Sequence, residues 1–406
     1  MSKEKERLNQ IVFEVLKEKL DASDYYKFGV KYFGPFLYGY TNWLYNSIKR
    51  NNYKKVFFFS RDGYMMEKAF HFFNVKNDIQ TQYVYFSRKS IRQALLCHCM
   101  TYQESLKFIP QDRFFTVEKI LDYYGFSLNE SERIAKKYQI NLSDSYLASQ
   151  LPKNQIIKNV YYSAKQIIDE KSFIQNKLLL AYIRQINMSG KCVIVDIGWH
   201  GNMQFYLEKF LKINHLDASL IGYYVGIDPI LYLNGETNGY IYHKKNLKLR
   251  KSILCFLGGY EKLFQSCEGS TYGYMERNGE ILPVLEDYEY RGDDKVISYI
   301  NEWQSGAVFF ISKVKDKIIK FSDDKIWAYS LIKFGKNPSN KDVKLFSFFY
   351  NADGGKSYFV SQKPLYDYSI KEFIYALSNS TWKTGFMKSV FKISFPYYII
   401  YSLMRK

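Results

Sequence analysis

Val193-Ile194-Val195-Asp196-Ile197-Gly198-Trp199-His200-Gly201-Asn202 starts as an apolar run, stops in an acid, and passes through small residues into the helix-period stretch Met203–Leu211. A short apolar run bounded in this way reads as a strand buried on both faces. A second unit of the same kind lies upstream, where Val56-Phe57-Phe58-Phe59 leads into Ser60-Arg61-Asp62-Gly63 and a helical segment over 63–73. Two strand–loop–helix units predict a parallel α/β sheet. Ligands of such sheets bind at the carboxyl ends of strands, beside helix N-termini that attract anions. One loop carries a guanidinium and a carboxylate, and the other a carboxylate followed by small residues. Together they point to a phosphorylated, hydroxyl-bearing ligand accompanied by a metal ion.

Outward from these loops, the pattern divides the chain into four regions. Residues 1–50 read as N-terminal helices, with Leu8, Ile11, Val12, Val15 and Leu16 on one face of the first and an aromatic-rich second one over 25–49. Residues 51–100 and 189–230 form the α/β core, including strands at 55–59, 83–86, 192–195 and 220–225. Residues 101–188 lack strand alternation and read as a helical insertion, with N-terminal capping signals at Thr116 and Ser127. Residues 231–406 have a weaker, mixed α+β pattern. Short strands are expected at Gly239-Tyr240-Ile241-Tyr242 and Gly273-Tyr274, and helices over 296–335 and 365–380.

The chain has 406 residues, and 58 Lys and Arg against 40 acids give it a net charge of +18. That balance suits polyanionic ligands or an anionic membrane surface. Nucleic acid is not expected, because the basic residues are dispersed and no zinc-finger or RNA-binding signature is present. An AT-rich genome also produces this excess of Lys, Asn, Ile and Tyr. The 39 Tyr and 32 Phe suit saccharide stacking and interfaces as well as core filling. Five cysteines (Cys97, Cys99, Cys192, Cys255 and Cys267) show no CxxC pair and read as reduced thiols of a cytoplasmic protein. The start, Met1 through Arg7, is charged rather than signal-like, and no apolar stretch reaches transmembrane length. Gly385 to Lys406 mixes aromatic and aliphatic residues with Lys388, Lys392, Arg405 and Lys406, and Pro396 interrupts it. It reads either as an interfacial anchor or as a docked C-terminal helix.

Three motif comparisons bear on chemistry. The loop at Ser60 resembles that of the haloacid-dehalogenase phosphatases, but Ser60 stands where their nucleophilic aspartate belongs, and a serine without a general base cannot replace it. Asp196-Ile197-Gly198-Trp199-His200-Gly201 partly resembles the glycine-rich loops of dinucleotide enzymes and of S-adenosylmethionine methyltransferases, with Asp217 as the ribose-binding acid. Both loops together resemble those of type I phosphoribosyltransferases.

Phe58 to Tyr64, Phe86-Ser87-Arg88 and Val195 to Gln204 are more specifically similar to proteins of bacterial surface-polysaccharide clusters (O-antigen, lipopolysaccharide and capsule). The similarity runs from Phe28-Gly29 through Tyr38-Gly39-Tyr40 and Trp43 to Glu261 and Gly273-Tyr274. This resemblance is to the polysaccharide phosphoribosyltransferases, often fused to or paired with a haloacid-dehalogenase phosphatase. It implies a type I phosphoribosyltransferase-like Rossmann core with a large helical insertion. It also implies a pentosyltransferase that moves 5-phosphoribofuranose from phosphoribosyl pyrophosphate (PRPP) to a sugar hydroxyl of a lipid-linked oligosaccharide, with inversion. Mg²⁺ would accompany PRPP, and a phosphatase would act on the product. The chain would be cytoplasmic and peripheral on the inner membrane face.

On that resemblance Ser60, Arg61, Asp62 and Gly63 form the pyrophosphate loop, which Arg88 completes, with Lys89 and Arg92 nearby. Asp196 binds the ribose hydroxyls. Gly198, Trp199, His200, Gly201 and Asn202 hold the 5-phosphate, with Gln204 one helical turn on. Asp62, Asp196 and Arg61 are the candidate catalytic residues, and Asp62 is the candidate metal ligand, acting through water. Strand-end position or the resemblance alone nominates Asp228 and Glu261. The sequence departs from ordinary phosphoribosyltransferases at Ile197, where a second acid would stand. A glycan methyltransferase and a non-catalytic membrane-surface assembly protein remain the alternatives.

Overall fold

The computed structural model describes residues 2–109, 114–229, 233, 235–352 and 356–405. Its centre is a five-stranded, all-parallel sheet. The strands are β1 (Lys55–Phe59), β2 (Gln80–Val84), β3 (Gly190–Trp199), β4 (Ala218–Ile227) and β5 (Glu236–Tyr242), in the order β2-β1-β3-β4-β5. The chain therefore leaves β1 in one direction across the sheet and resumes at β3 in the other. That reversal is a topological switch point, which opens a crevice at the carboxyl ends of β1 and β3.

Alternation along the strands explains why both are apolar throughout. Val56 and Phe58 of β1, with Val193, Val195 and Ile197 of β3, enter the core on one face. Phe57 and Phe59, with Cys192 and Ile194, enter the core on the other. The first face is covered by N-terminal helices, including Ser2–Lys17 and Gly34–Arg50, and by C-terminal ones such as Asp294–Val314. The second is covered by the expected helical insertion, whose long helix Gln155–Gln185 crosses it. Thr116 and Ser127 are N-caps as expected. The insertion also holds a small antiparallel ribbon, Phe114–Thr116 with Ser145–Leu147, that its helical pattern concealed.

Three expectations need correction. The sheet does not stop at 230, a boundary that falls outside the described residues. β5 extends the sheet beyond it, and the later helices share one core with the N-terminal ones, so 231–406 is not a separate layer. The second strand ends at Val84 rather than running to Phe86, because it is an edge strand whose exposed Gln80 and Gln82 broke the apolar pattern. Asp196 to Trp199 belong to β3 itself, so the turn is confined to His200 and Gly201.

The expected strand at Gly273 is one arm of an antiparallel hairpin, Thr271–Arg277 with Glu280–Leu285. Side-chain amides on the long helix hold it. Gln175 accepts from the Tyr274 N–H at 2.9 Å, and Gln185 accepts from the Ile281 N–H at 2.8 Å. All five cysteines are free thiols. Among the described residues no helix is long and apolar enough to cross a membrane.

Near its end β3 presses closely on β4. Gly198 sits at φ +105°, and a Cβ there would lie 2.4 Å from the Gly226 carbonyl oxygen. Gly190, at φ +66°, has open space around it. Gly198→Ala is therefore expected to lose about 3 kcal/mol or more by denaturant titration, from strain plus overlap, whereas Gly190→Ala loses only about 1–2. Equal losses would show that the β3–β4 approach is not tight.

Candidate active site

A cleft of about 340 Å³ lined mainly by polar side chains lies at the switch point. A volume of that size fits a sugar phosphate. Three strand ends build it. Ser60, Arg61 and Asp62 follow β1, Ser87 and Arg88 follow β2, and Asp196 to His200 with Asn202 end β3. Leu257, Glu261, Gln265 and Ser270 close it from the C-terminal half of the chain.

Asp62 precedes the helix Gly63–His71 but makes no side-chain cap to it. Its Oδ1 is buried and has no hydrogen-bond partner among the described residues. Gln265 bonds the same carboxyl. Burial raises the Asp62 pKa despite Arg61, Lys262 and Arg88 nearby. Asp196, on the neighbouring strand, is pushed up to about 8 by burial and then by the charge of Asp62. Two carboxylates thus face one buried space without enough positive charge to keep both ionised.

Such an arrangement fits a divalent cation. Among the described residues no group of three or more His, Cys, Asp or Glu side chains has metal-ligand geometry. Mg²⁺ does not require one, since it keeps several waters and takes one or two carboxylates plus substrate phosphates. The unpartnered Asp62 oxygen is the structural feature that such an ion would satisfy.

The two loops differ in how they are held. Arg61 does not reach into the cleft as a free cation. Its Nη1 donates to Glu289 Oε2 at 2.6 Å and to the Glu268 carbonyl at 3.3 Å. Lys262 pairs with the same Glu289, so a buried Arg–Glu–Lys group anchors the first loop to the C-terminal half. The Ser60 hydroxyl donates to the Phe86 carbonyl at 3.4 Å.

Arg88 is exposed at the cleft, and no ion pair engages it among the described residues. Lys89 is bound to Asp122 and Glu286, and Arg92 is buried over the Tyr206 ring. Of the cations expected to grip pyrophosphate, Arg88 is the one with no ion pair among the described residues, while Arg61 lines the cleft with its Nη1 bound to Glu289.

In the second loop, Gly201 at φ +61° caps the helix Asn202–Ile213, whose N-terminus points at the cleft. The Trp199 side chain folds into the core, and its indole donates to Glu261 Oε1 at 3.0 Å, which fixes that carboxylate at the cleft wall. His200 stays exposed, with Nδ1 3.3 Å from Asp228, and Arg250 binds Asp228 through two nitrogens. Burial opposes that pairing, but Arg250 and His200 still hold Asp228 down at about 2.

Nine of the expected ligand-binding residues line the cleft: Ser60, Arg61, Asp62, Arg88, Asp196, Gly198, Trp199, His200 and Asn202. Gly63 and Gly201 lie behind it as helix starts. Gln204 does not belong to it. That side chain is fully buried, accepting from the Tyr224 hydroxyl at 2.7 Å and donating to Glu208 at 2.8 Å. Asp217, the acid required by a methyltransferase, sits before β4 at the opposite end of the sheet, where its carbonyl accepts from the Gly190 N–H. The sequence reading missed Gln265 and Ser270, and only the resemblance suggested Glu261. Their approach to the cleft depends on long-range packing that carries no local signal.

No protein-family model matches the chain, and no curated protein matches it.

The Asp196 carboxyl stays protonated in the folded state up to about pH 8. In the unfolded chain it ionises near pH 4. Folding therefore takes up a proton between these values, and this group's effect on stability becomes less favourable as pH rises through that window and levels off above it. Asp196→Asn is expected to remove that slope and raise the melting temperature at pH 8. An unchanged slope would show that the acid is solvated.

Proposed function

We propose that the chain is a glycosyltransferase that moves 5-phosphoribofuranose from PRPP to a sugar hydroxyl of a lipid-linked glycan and releases pyrophosphate. One observation carries this reading. Asp62 and Asp196, the exposed Arg88 and the N-terminus of the helix Asn202–Ile213 converge on one cleft at the switch point. That set offers carboxylates for a ribose diol, a fork for pyrophosphate and backbone N–H groups for a 5-phosphate. Ordinary phosphoribosyltransferases draw both acids from one strand end. Here Ile197 is apolar, and Asp62 supplies the second acid from the neighbouring strand.

Asp196 takes the ribose hydroxyls, and Arg88 takes the pyrophosphate. The turn at His200 and Gly201, followed by Asn202, takes the 5-phosphate. Asp62 and Asp196 would hold Mg²⁺, which when bound supplies charge neutralisation to the leaving group. The bond from the anomeric carbon to pyrophosphate breaks, leaving the electron pair on pyrophosphate. The bond from the acceptor oxygen to that carbon forms on the opposite face, so an α donor gives a β product. We assign the acceptor's proton to Glu261, the cleft carboxylate oriented by the Trp199 indole. The product keeps its 5-phosphate, which a phosphatase would then remove.

The test is to incubate the purified protein with PRPP, Mg²⁺ and a panel of acceptors, galactose-terminated ones included. Pyrophosphate release with a phosphoribosyl mass gain on one of them is expected. Asp196→Asn should lower kcat/KM by about 100-fold or more, and Arg88→Ala should raise the KM for PRPP by about tenfold or more. Glu261→Gln should lower kcat with donor binding retained. No release and no mass gain across the panel would overturn the proposal, and full activity of Asp196→Ala would remove the site assignment. Tight binding of S-adenosylmethionine would favour methyl transfer instead.

A further inference from the structure

We infer that the C-terminal helices form a docking face for an anionic phospholipid bilayer, set close to the mouth of the cleft. The face is made by Ile370–Asn379, Lys383–Phe391 and Tyr397–Met404. Ring contacts Tyr368–Phe373 at 5.9 Å, Phe373–Phe391 at 6.1 Å and Phe391–Tyr397 at 6.2 Å join them into one platform.

Two of these helices expose apolar side chains to solvent. Ile370, Ile374, Tyr375, Ile399, Leu403 and Met404 are 55% to 81% exposed. The helix Ile370–Asn379 buries none of its residues. Scattered exposed aliphatics need no explanation, but an exposed set gathered on adjoining short helices marks an interaction surface.

The charges around the face select the occupant. Between 363 and 405 there are six basic residues, Lys363, Lys371, Lys383, Lys388, Lys392 and Arg405, against Asp367 and Glu372. Lys363 is paired with Glu372, and Lys383 turns inward to the backbone carbonyls of Leu377, Ser378 and Ser380. Lys371 and Lys392 remain exposed on the same group of helices and their connections. An aliphatic face with a basic rim matches acyl chains beneath acidic headgroups. A second copy of the chain is a poorer fit, because a twofold contact would set one basic rim against the other.

Position gives the face its use. Tyr398 bonds Ser252 at 2.8 Å, and the Ser402 carbonyl accepts from Lys251 at 2.8 Å, which seats the last helix on Arg250–Leu254. Arg250 starts that helix and binds Asp228, the partner of His200 at the cleft. One short helix therefore links the last helix, by this run of contacts, to the cleft. If the proposed reaction holds, a lipid-borne acceptor would be presented there. The docking itself does not depend on that reaction.

The test is co-sedimentation of the full-length protein with phosphatidylcholine vesicles, with and without phosphatidylglycerol, in the absence of donor or acceptor. Binding is expected only when phosphatidylglycerol is present, and it should weaken with added salt. The double variant Ile399→Glu/Leu403→Glu, and separately Lys371→Gln/Lys392→Gln, should each bind about tenfold or more weakly while melting at the wild-type temperature. Three results would overturn the inference. The first is no binding by the wild type, and the second is binding by the apolar variant equal to wild type. The third is a wild-type dimer in sedimentation velocity that the apolar variant abolishes without any vesicle binding, which would assign the face to a second copy.

Discussion

Two carboxyl groups that compete for too little positive charge organise this molecule. Asp62 and Asp196 end adjacent parallel strands, so the fold delivers both to the same buried space. Burial raises both pKa values, and the charge of Asp62 makes that of Asp196 harder to form. A chain selected for stability alone would place apolar side chains there, since unpaired buried carboxylates oppose folding. Buried acids with raised pKa values lining a cleft are a common mark of a functional site.

Much of the surrounding structure holds that space open. Glu289 binds Arg61 and Lys262 together, which ties the first loop to the C-terminal half. Trp199, largely buried at the cleft wall, anchors Glu261. Arg250 steadies Asp228, and through it His200. The Arg61–Glu289 and Trp199–Glu261 anchors join residues 228 and 62 positions apart, so the N-terminal and C-terminal halves build the site jointly. The same helix that carries Arg250 seats the last helix, which links that helix to the cleft through a short run of contacts.

The sequence was informative wherever physical periodicity was strong. β1 and β3 read correctly because strands buried on both faces are apolar at every position, and their ends located Asp62 and Asp196. Caps at Thr116 and Ser127 were legible because they are local hydrogen bonds. Chemical type alone misplaced Gln204 and did not show that Arg61, at the cleft wall, is held by Glu289. A guanidinium in a phosphate-like loop and an amide near a helix start are plausible ligands. Their real partners, Glu289 and Tyr224, are fixed by tertiary packing. β2 was shifted because an edge strand exposes alternate residues, and β5 was only hinted at. Ile197, which stands where ordinary phosphoribosyltransferases carry a second acid, is core-facing. In the proposed reading Asp62 would supply that acid across the strand pair, an arrangement that no linear motif displays.

The most direct test of this account is calorimetric titration of PRPP into the wild type and into Asp62→Asn, each with and without Mg²⁺. The account predicts one PRPP per chain, bound tightly by the wild type only with Mg²⁺ present and weakened by about tenfold or more in the variant. Binding that is indifferent to both Mg²⁺ and Asp62, or no binding at all, would contradict the claim that the paired carboxylates form a cation-dependent ligand site.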